Sequence, residues 1–226
     1  MRKLAILIYG APGSGKGTQA NLLSWKRDYF HFDSGRYLEA IVRDPANRDN
    51  KIVQRERKLF DSGILLTPSW VLKMTAKKAM TVGKADVSII FSGSPRTMYE
   101  AFGDGKTEGL ISVIERYYGK KNIFAFFLKV KPETSIRRNS TRRVCSVCST
   151  VVNPSTRSKH CPICYGSLRR RTLDNPKIIQ DRLVEYQKRT VPILHQLKKR
   201  KFQVFSINAE PLPEYVFKQI LKKLPH

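Results

Sequence analysis

Nine consecutive residues restrict what this chain can fold into more than any others: Gly10-Ala11-Pro12-Gly13-Ser14-Gly15-Lys16-Gly17-Thr18. They follow an apolar run of strand length, residues 4–9, and lead into Gln19-Ala20-Asn21-Leu22-Leu23, which reads as a helix. A strand, a glycine-rich turn and a helix in that order give the context of a phosphate-binding loop. Glycine lets backbone N–H groups converge on an anion, because a Cβ would block the curl of the chain or the ligand's approach. The helix start adds unsatisfied N–H groups and the positive end of its dipole. Lys16 is placed to reach the β- and γ-phosphates of a nucleotide, and the Thr18 hydroxyl falls where a Mg²⁺ ligand is wanted. The Ser or Thr of such loops ordinarily follows the lysine directly; Gly17 intervenes here, which marks a subtype. Gly13, Ser14, Gly15, Lys16, Gly17 and Thr18 are the expected nucleotide-binding residues.

Strand-like runs at residues 4–9, 87–91, 123–130 and 202–207 alternate with helical stretches. The alternation predicts an α/β fold with a parallel central sheet and helices on both faces, in three αβα layers. At 226 residues the chain can bury one large core, with or without inserts. No apolar run approaches the ~20 residues that a membrane span needs. The chain enters its first strand without the architecture of a signal peptide. A cytoplasmic protein with no membrane partner is expected, and a monomer.

Charge narrows the partners. There are 43 Lys and Arg against 18 Asp and Glu, a formal net charge of +25. Such a field attracts small phosphates and polyanions alike, and it exceeds what one nucleotide site requires. Weak binding of RNA or another polyanion is one reading. A solvated basic surface with no specific partner is the other.

Further along, residues 29–35 read as a short strand ending in a turn, and residues 36–61 as a small helical excursion. Pro68 opens a helix running to about residue 80. The strand at 87–91 delivers Ser92-Gly93-Ser94-Pro95-Arg96-Thr97. Helices are expected at 110–118, from Pro132, from Pro176 to about residue 201, and at the end of the chain. Residues 134–173 contain no acid and hold all four cysteines. The expected division is a core of residues 1–33, 67–136 and 175–226, a first insert at 34–66 and a second at 137–174.

Cys145-Ser146-Val147-Cys148 and Cys161-Pro162-Ile163-Cys164 form two knuckle-like pairs. Four thiolates at this spacing suit a tetrahedral Zn²⁺ with no open position, a structural metal and not a catalytic one. Disulfides do not suit a cytosolic chain. The metal would supply folding energy to a segment too small for a core of its own. His160 is surplus to four sulfurs and reads as a surface residue.

Taken together, Gly10–Thr18, the Ser34-Gly35 turn, Gly93-Ser94-Pro95-Arg96-Thr97 and Arg182-Leu183-Val184-Glu185-Tyr186 resemble the adenylate kinases in order and spacing, over essentially the full length. The resemblance implies reversible transfer of a phosphoryl group from MgATP to a nucleoside monophosphate. It implies a phosphate-loop core, a monophosphate-binding insert and a mobile lid of the long, cysteine-bearing kind. By the same resemblance Arg96 grips the acceptor phosphate, beside Ser34, Gly35 and Gly93. Arg138 and Arg142 enter from the start of the lid, and Arg171 and Arg182 come from its far side. Arg138 counts among the ATP-binding residues as well. Arginine suits such a reaction, which needs positioning and charge neutralisation more than covalent chemistry.

The sequence departs from the family at several places. Ser92 stands where the family has an Asp that holds water on the Mg²⁺, and a hydroxyl brings no negative charge. Asp33 lies across the expected site and is available to compensate. Glu39 replaces an Arg of the insert and would repel a phosphate, a contact that Arg36 on the same helical face can take over. Ser94 replaces a large apolar residue, and Leu173 replaces one of two acids of which Asp174 is the other. Glu100 replaces the Gln that reads adenine. An ionised carboxylate only accepts hydrogen bonds, which suits guanine, or the exocyclic amine of adenine or cytosine alone. AMP is the expected acceptor, with GMP and CMP open.

Overall fold

The structure is a computed structural model describing residues 3–152, 156, 158–171 and 174–225. Leu173 lies outside the described residues. Strand β1 (Ala5–Gly10) is buried along its whole length. Its side chains divide by parity, as a pleated strand requires. Ala5, Leu7 and Tyr9 enter one core with Ile89, Phe91, Ile123 and Ala125; Ile6 and Ile8 enter a second with Ile90, Phe124, Phe126 and Leu128. A strand covered on both faces needs the continuous apolar run that residues 4–9 supply.

Around β1 lie β2 (Phe30–Asp33), β3 (Ile89–Ser92), β4 (Ile123–Lys129) and β8 (Gln203–Asn208). They form a five-stranded sheet in the order β2-β3-β1-β4-β8, parallel at each pairing. On the first face pack α4 (Pro68–Lys84), α6 (Leu110–Tyr118) and α9 (Val191–Lys199), burying Leu72, Ile114 and Leu197 among others. On the second pack α1 (Lys16–Arg27), with Ala20 and Leu23, and α10 (Pro213–Leu221), with Val216 and Ile220. This is the expected α/β arrangement. Among the described residues no helix is long and apolar enough to cross a membrane.

Two excursions leave the sheet. The first carries α2 (Ser34–Arg43) and α3 (Lys51–Asp61), joined through a 3₁₀ turn at Pro45–Asn47. A satellite cluster of Leu38, Leu66 and Val71 ties it to α4. Glu56, fully buried on α3, accepts the backbone N–H of Thr67 at 2.8 Å and its hydroxyl at 2.6 Å. The carboxylate thus fixes the end of the excursion to the start of α4. The second excursion is bounded by α7 (Pro132–Thr141) and α8 (Pro176–Glu185) and contains β5 (Arg143–Cys145), β6 (Val151–Val152) and β7 (Leu168–Arg169). These strands make an antiparallel sheet in the order β6-β5-β7.

Several boundaries differ from the sequence expectation for local reasons. Strand β3 begins at Ile89 and not at residue 87, because the Ser88 hydroxyl accepts the Leu4 N–H at 3.0 Å and Val87 stays 37% exposed. The Ser34-Gly35 turn is the first turn of α2, capped by Asp33, whose Oδ1 accepts the Arg36 N–H at 3.2 Å. A short helix α5 (Met98–Phe102), not expected from sequence, follows Thr97. The long helix from Pro176 is interrupted by a π-helical turn at Tyr186–Thr190. That extra residue aims the Thr190 hydroxyl at the Arg96 carbonyl, 2.9 Å away.

Phe126 is fully buried in the second core, where it stacks with Phe205 at 5.7 Å between ring centroids. Truncating it to Ala leaves a cavity between sheet and helices. Phe126→Ala is expected to lower unfolding stability by about 3–5 kcal/mol, read from the midpoint of a urea titration.

Candidate active site and cysteine cluster

The glycine-rich turn ends β1 at the carboxyl edge of the sheet, where open α/β sheets place their ligands. Lys16 begins α1 and folds back over the loop, donating to the carbonyls of Gly10 at 2.7 Å and Ala11 at 2.9 Å. Gly13 has φ +76°, and a Cβ there would meet the Asn139 side-chain amide at 2.6 Å and the Ser135 carbonyl at 2.9 Å. The other side of the loop is open: a Cβ on Gly15 or Gly17 would meet nothing within 4 Å. That cradle, with the N-terminus of α1 behind it, fits a phosphate group. The Ser14 hydroxyl is buried there without a hydrogen-bond partner, and Thr18 lies half-buried in the first turn of α1. The donor set therefore fits a nucleotide's phosphates, with Thr18 available to the Mg²⁺ that accompanies them.

Beside the loop opens a cleft lined in part by Lys16, Gly35, Gly93, Arg96, Arg171 and Arg182. Arg96 is steered by its own loop: its Nε donates to the Gly93 carbonyl at 2.6 Å. Arg182 projects from α8, and one of its Nη nitrogens is buried without a partner. Arg142 is held by Asp174 through two contacts of 2.6 Å, a bidentate pair that joins the two ends of the second excursion. Burial, then the charges of Arg96, Arg182 and Arg142, brings the Lys16 amine down to about 7, against a weak pull upward from Asp33. Burial, then Arg96, Arg142 and Arg171, brings Arg182 down to about 9. Arg171 is lowered too, by burial first and by Arg142 second.

Three of the expected residues do not turn into this cleft. Glu100 is 2% exposed, and its two carboxylate oxygens accept the Arg96 backbone N–H at 2.9 Å and the Thr97 hydroxyl at 3.0 Å. Thr97 in turn caps α5 by accepting the Glu100 N–H, so the pair forms a reciprocal cap. Burial pushes the Glu100 carboxyl up, against the opposing pull of the Arg96 N–H. Arg36 reaches the second excursion, donating to the Ser149 carbonyl at 2.6 Å and the Cys148 carbonyl at 3.5 Å. Arg138 donates to the carbonyls of Ala209 at 2.9 Å and Glu210 at 2.8 Å, in the loop after β8. Glu39 pairs with Arg43 at 3.3 Å, and the Ser94 hydroxyl donates to that of Ser34 at 2.9 Å.

Sequence reasoning missed other groups at the site. The hydroxyls of Tyr9 and Tyr186, both lining the cleft, are buried without partners, and burial pushes both phenols up. Tyr9 sits at the last position of an apolar strand, which reads as core; only its place at the sheet's carboxyl edge hints at more. Behind Ser92 runs a relay in which His31 Nε2 lies 2.6 Å from the Ser92 hydroxyl and Nδ1 lies 2.7 Å from Asn21 Oδ1.

The sulfur atoms of Cys145, Cys148, Cys161 and Cys164 all lie within 4.8 Å of one another. The two knuckles are built alike. Each leading sulfur accepts a backbone N–H two residues on, from Val147 or Ile163, at 3.4 Å. Each knuckle also closes through a left-handed residue, Ser149 at φ 56° or Tyr165 at φ 58°. Gly166 is required, since a Cβ there would lie 2.9 Å from the Cys145 sulfur. Four thiols so gathered suit a tetrahedral metal ion. His160 is exposed and stacks on Tyr165 at 4.4 Å between ring centroids, apart from the sulfurs' donor set.

Such a site stores a proton deficit. An amine with a pKa of about 7 is about nine-tenths neutral at pH 8 and recovers its charge when phosphates arrive. Because the folded value lies below the ordinary one of 10.5, the free fold pays a penalty at neutral pH that fades as pH rises toward that value. Triphosphate binding at pH 8 is therefore expected to take up close to one proton. Calorimetry in two buffers of different ionisation enthalpy measures it, and Lys16→Met is expected to abolish the uptake.

Comparison with known proteins agrees with this geometry. The sequence model of the adenylate kinase family matches residues 8–202. An adenylate kinase of Chlamydia pneumoniae is 31% identical over 218 residues, covering 96% of this chain and 95% of its own. That of Chlamydia trachomatis serovar D is 29% identical over 98% of this chain and 90% of its own. The adenylate kinase of Caldicellulosiruptor saccharolyticus is 27% identical over 98% and 99%. With its phosphate cradle, its converging guanidinium groups and its match along most of its length, the chain belongs to the adenylate kinase family and is a nucleoside monophosphate kinase, a phosphotransferase acting on ATP and a nucleoside monophosphate.

Proposed function

We propose that this chain transfers the γ-phosphoryl group of MgATP reversibly to AMP, giving two molecules of ADP. The observation that carries the reading is the convergence of Lys16, Arg96, Arg171 and Arg182 on one cleft, with an Arg182 nitrogen buried and unpaired. A buried cationic donor without a partner is costly, and a phosphoryl oxygen satisfies it. An oxygen of the acceptor's phosphate attacks the γ-phosphorus, and the bond to the β–γ bridging oxygen breaks as ADP leaves. That oxygen is already anionic, so no general base is needed.

Residues of the loop, Gly13 to Thr18, hold the ATP phosphates, and Thr18 takes the Mg²⁺. Arg96 holds the acceptor phosphate with Ser34, Gly35 and Gly93, joined by Arg36 once it leaves its carbonyl partners. Arg142, Arg171 and Arg182 offset the charge that develops in transfer, and Arg138 serves the ATP side. We read residues 34–66 as the monophosphate-binding insert, residues 137–174 as a lid, and the remainder as the core. The metal of the four cysteines is Zn²⁺ in a structural role. The net charge of +25 supports weak association with RNA or another polyanion, and a cytoplasmic monomer is the working form.

AMP is preferred to GMP or CMP because Glu100 spends its carboxylate on Arg96 and Thr97 and leaves the base to other groups. Turnover with MgATP and each of AMP, GMP, CMP and UMP tests this. AMP is expected to give the highest kcat/KM. A preference for GMP would return Glu100 to the base-reading role. Bound ATP without turnover of any acceptor would instead favour a nucleotide-binding protein with weakened catalysis. For the cysteines, elemental analysis is expected to find one zinc per chain. Cys148→Ser is expected to lose the metal and lower the lid's resistance to proteolysis while the core melts near its former temperature.

A further inference from the structure

Lys16, Arg96, Arg171 and Arg182 line the cleft, Arg142 acts on three of them from beside it, and the acids near them are mostly committed. Asp174 is engaged through both oxygens by Arg142 at 2.6 Å. Glu39 is paired with Arg43 at 3.3 Å. Asp33 differs. It ends β2 as the register partner of Ser92 at the end of β3. Its Oδ1 lies 3.3 Å from where a Cβ on Gly35 would sit, a point 3.8 Å from a terminal nitrogen of Arg96. Gly35 and Arg96 both line the cleft, so the carboxylate lies just behind that wall. Among the described residues it is the one carboxylate resolved as acting on the Lys16 amine. Its ion-pair partner, Arg36, is 3.4 Å away and is shared with two carbonyls of the second excursion.

A divalent cation carried by a triphosphate keeps several waters, and their hydrogens need acceptors. An anionic acceptor is worth roughly twice a neutral one. Ser92, on the neighbouring strand end, supplies only a hydroxyl. Its proton is already placed: Asn21 offers an oxygen to His31 Nδ1 at 2.7 Å, so Nδ1 carries the hydrogen and Nε2 accepts from Ser92 at 2.6 Å. Ser92 keeps lone pairs and no charge.

We propose that Asp33 is the positioning residue for the nucleotide's divalent cation, accepting hydrogen bonds from its water shell, with Ser92 as a neutral second acceptor. The carboxylate that the cation needs thus comes from the end of β2. The assignment rests on the MgATP reading of this cleft.

Asp33→Asn tests it while sparing the fold, because Asn caps a helix about as well as Asp and keeps α2 in place. The affinity for a non-hydrolysable ATP analogue is measured by calorimetry with and without Mg²⁺, alongside the paramagnetic resonance spectrum of Mn²⁺ bound with the analogue. Asp33→Asn is expected to leave metal-free binding within about threefold and to cut the strengthening by metal about tenfold or more. The double variant Asp33→Asn/Ser92→Asp, which moves the carboxylate across one strand at the same register, is expected to restore it. If the single variant keeps the full metal effect, or the double variant restores none, Asp33 is not that residue. A wild-type protein that binds no analogue at all would overturn the MgATP reading, and the assignment with it.

Discussion

Positive charge gathered before any phosphate arrives is the constraint on which the rest of this structure depends. Two unit charges 4 Å apart repel by about 4 kcal/mol at the effective dielectric of a protein surface. Arg96, Arg142 and Arg182 act on Lys16, and Arg96, Arg142 and Arg171 act on Arg182; the lysine amine at about 7 and the Arg182 guanidinium at about 9 register the cost. The fold tolerates the cluster because each member is rooted in a separately stabilised element. Lys16 stands at the start of a helix that Ala20 and Leu23 pack into the second core, and Arg96 in a loop fixed by Gly93 and Thr190. Arg182 projects from a helix that Ile179 anchors in the core. Phosphates relieve the repulsion, so the tension of the free protein is released as binding energy.

The glycine-rich loop is tied to the root of the second excursion. Ser135 on α7 donates its hydroxyl to the Pro12 carbonyl at 2.5 Å, and Gly13 sits against Asn139 of the same helix. Seven residues after Ser135, Arg142 clasps Asp174, bringing the outgoing chain to the incoming one. The excursion therefore springs from a helix that is bonded to the glycine-rich loop. Toward its far end the exposed guanidinium of Arg36 reaches the Cys148 and Ser149 carbonyls. An exposed contact of this kind is worth about 1 kcal/mol or less. A rigid root and a weakly held tip are what a closing segment needs.

Much of this was legible from the residues. The apolar run at 4–9, the glycine spacing and Lys16 fix a strand, a tight turn and a helix by backbone sterics alone, and the parallel sheet follows from the alternation of runs. The cysteine spacing fixes two knuckles, and the structure gathers their sulfurs. What could not be read was direction. Arg36, Arg138 and Arg182 are the same residue type in similar helical surroundings, yet one meets carbonyls of the second excursion, one meets the loop after β8 and one enters the cleft. The carbonyls that Arg36 and Arg138 meet lie 112 and 71 residues away in sequence, so no local pattern encodes them. The hydroxyls of Tyr9 and Tyr186 escaped for a related reason, since an apolar strand end and a helix interior both look like core. The π-helical turn at Tyr186–Thr190 has no sequence mark that separates it from the helices on either side.

Glu100 illustrates how a substitution at a recognition position can be absorbed by the scaffold. A glutamine there would present a donor and an acceptor to a base. A carboxylate can only accept, and two donors lie within reach: the Arg96 N–H and the Thr97 hydroxyl. Once both are engaged, turning Glu100 toward a base would strand them in a site that is 2% exposed, at a cost of about 1–3 kcal/mol for each unsatisfied group. A base would have to offer two good hydrogen bonds merely to break even. The carboxylate is therefore better used where it stands, since it fixes the backbone from which Arg96 reaches the cleft. On this argument the exchange of amide for acid makes the residue a support for the loop that carries Arg96.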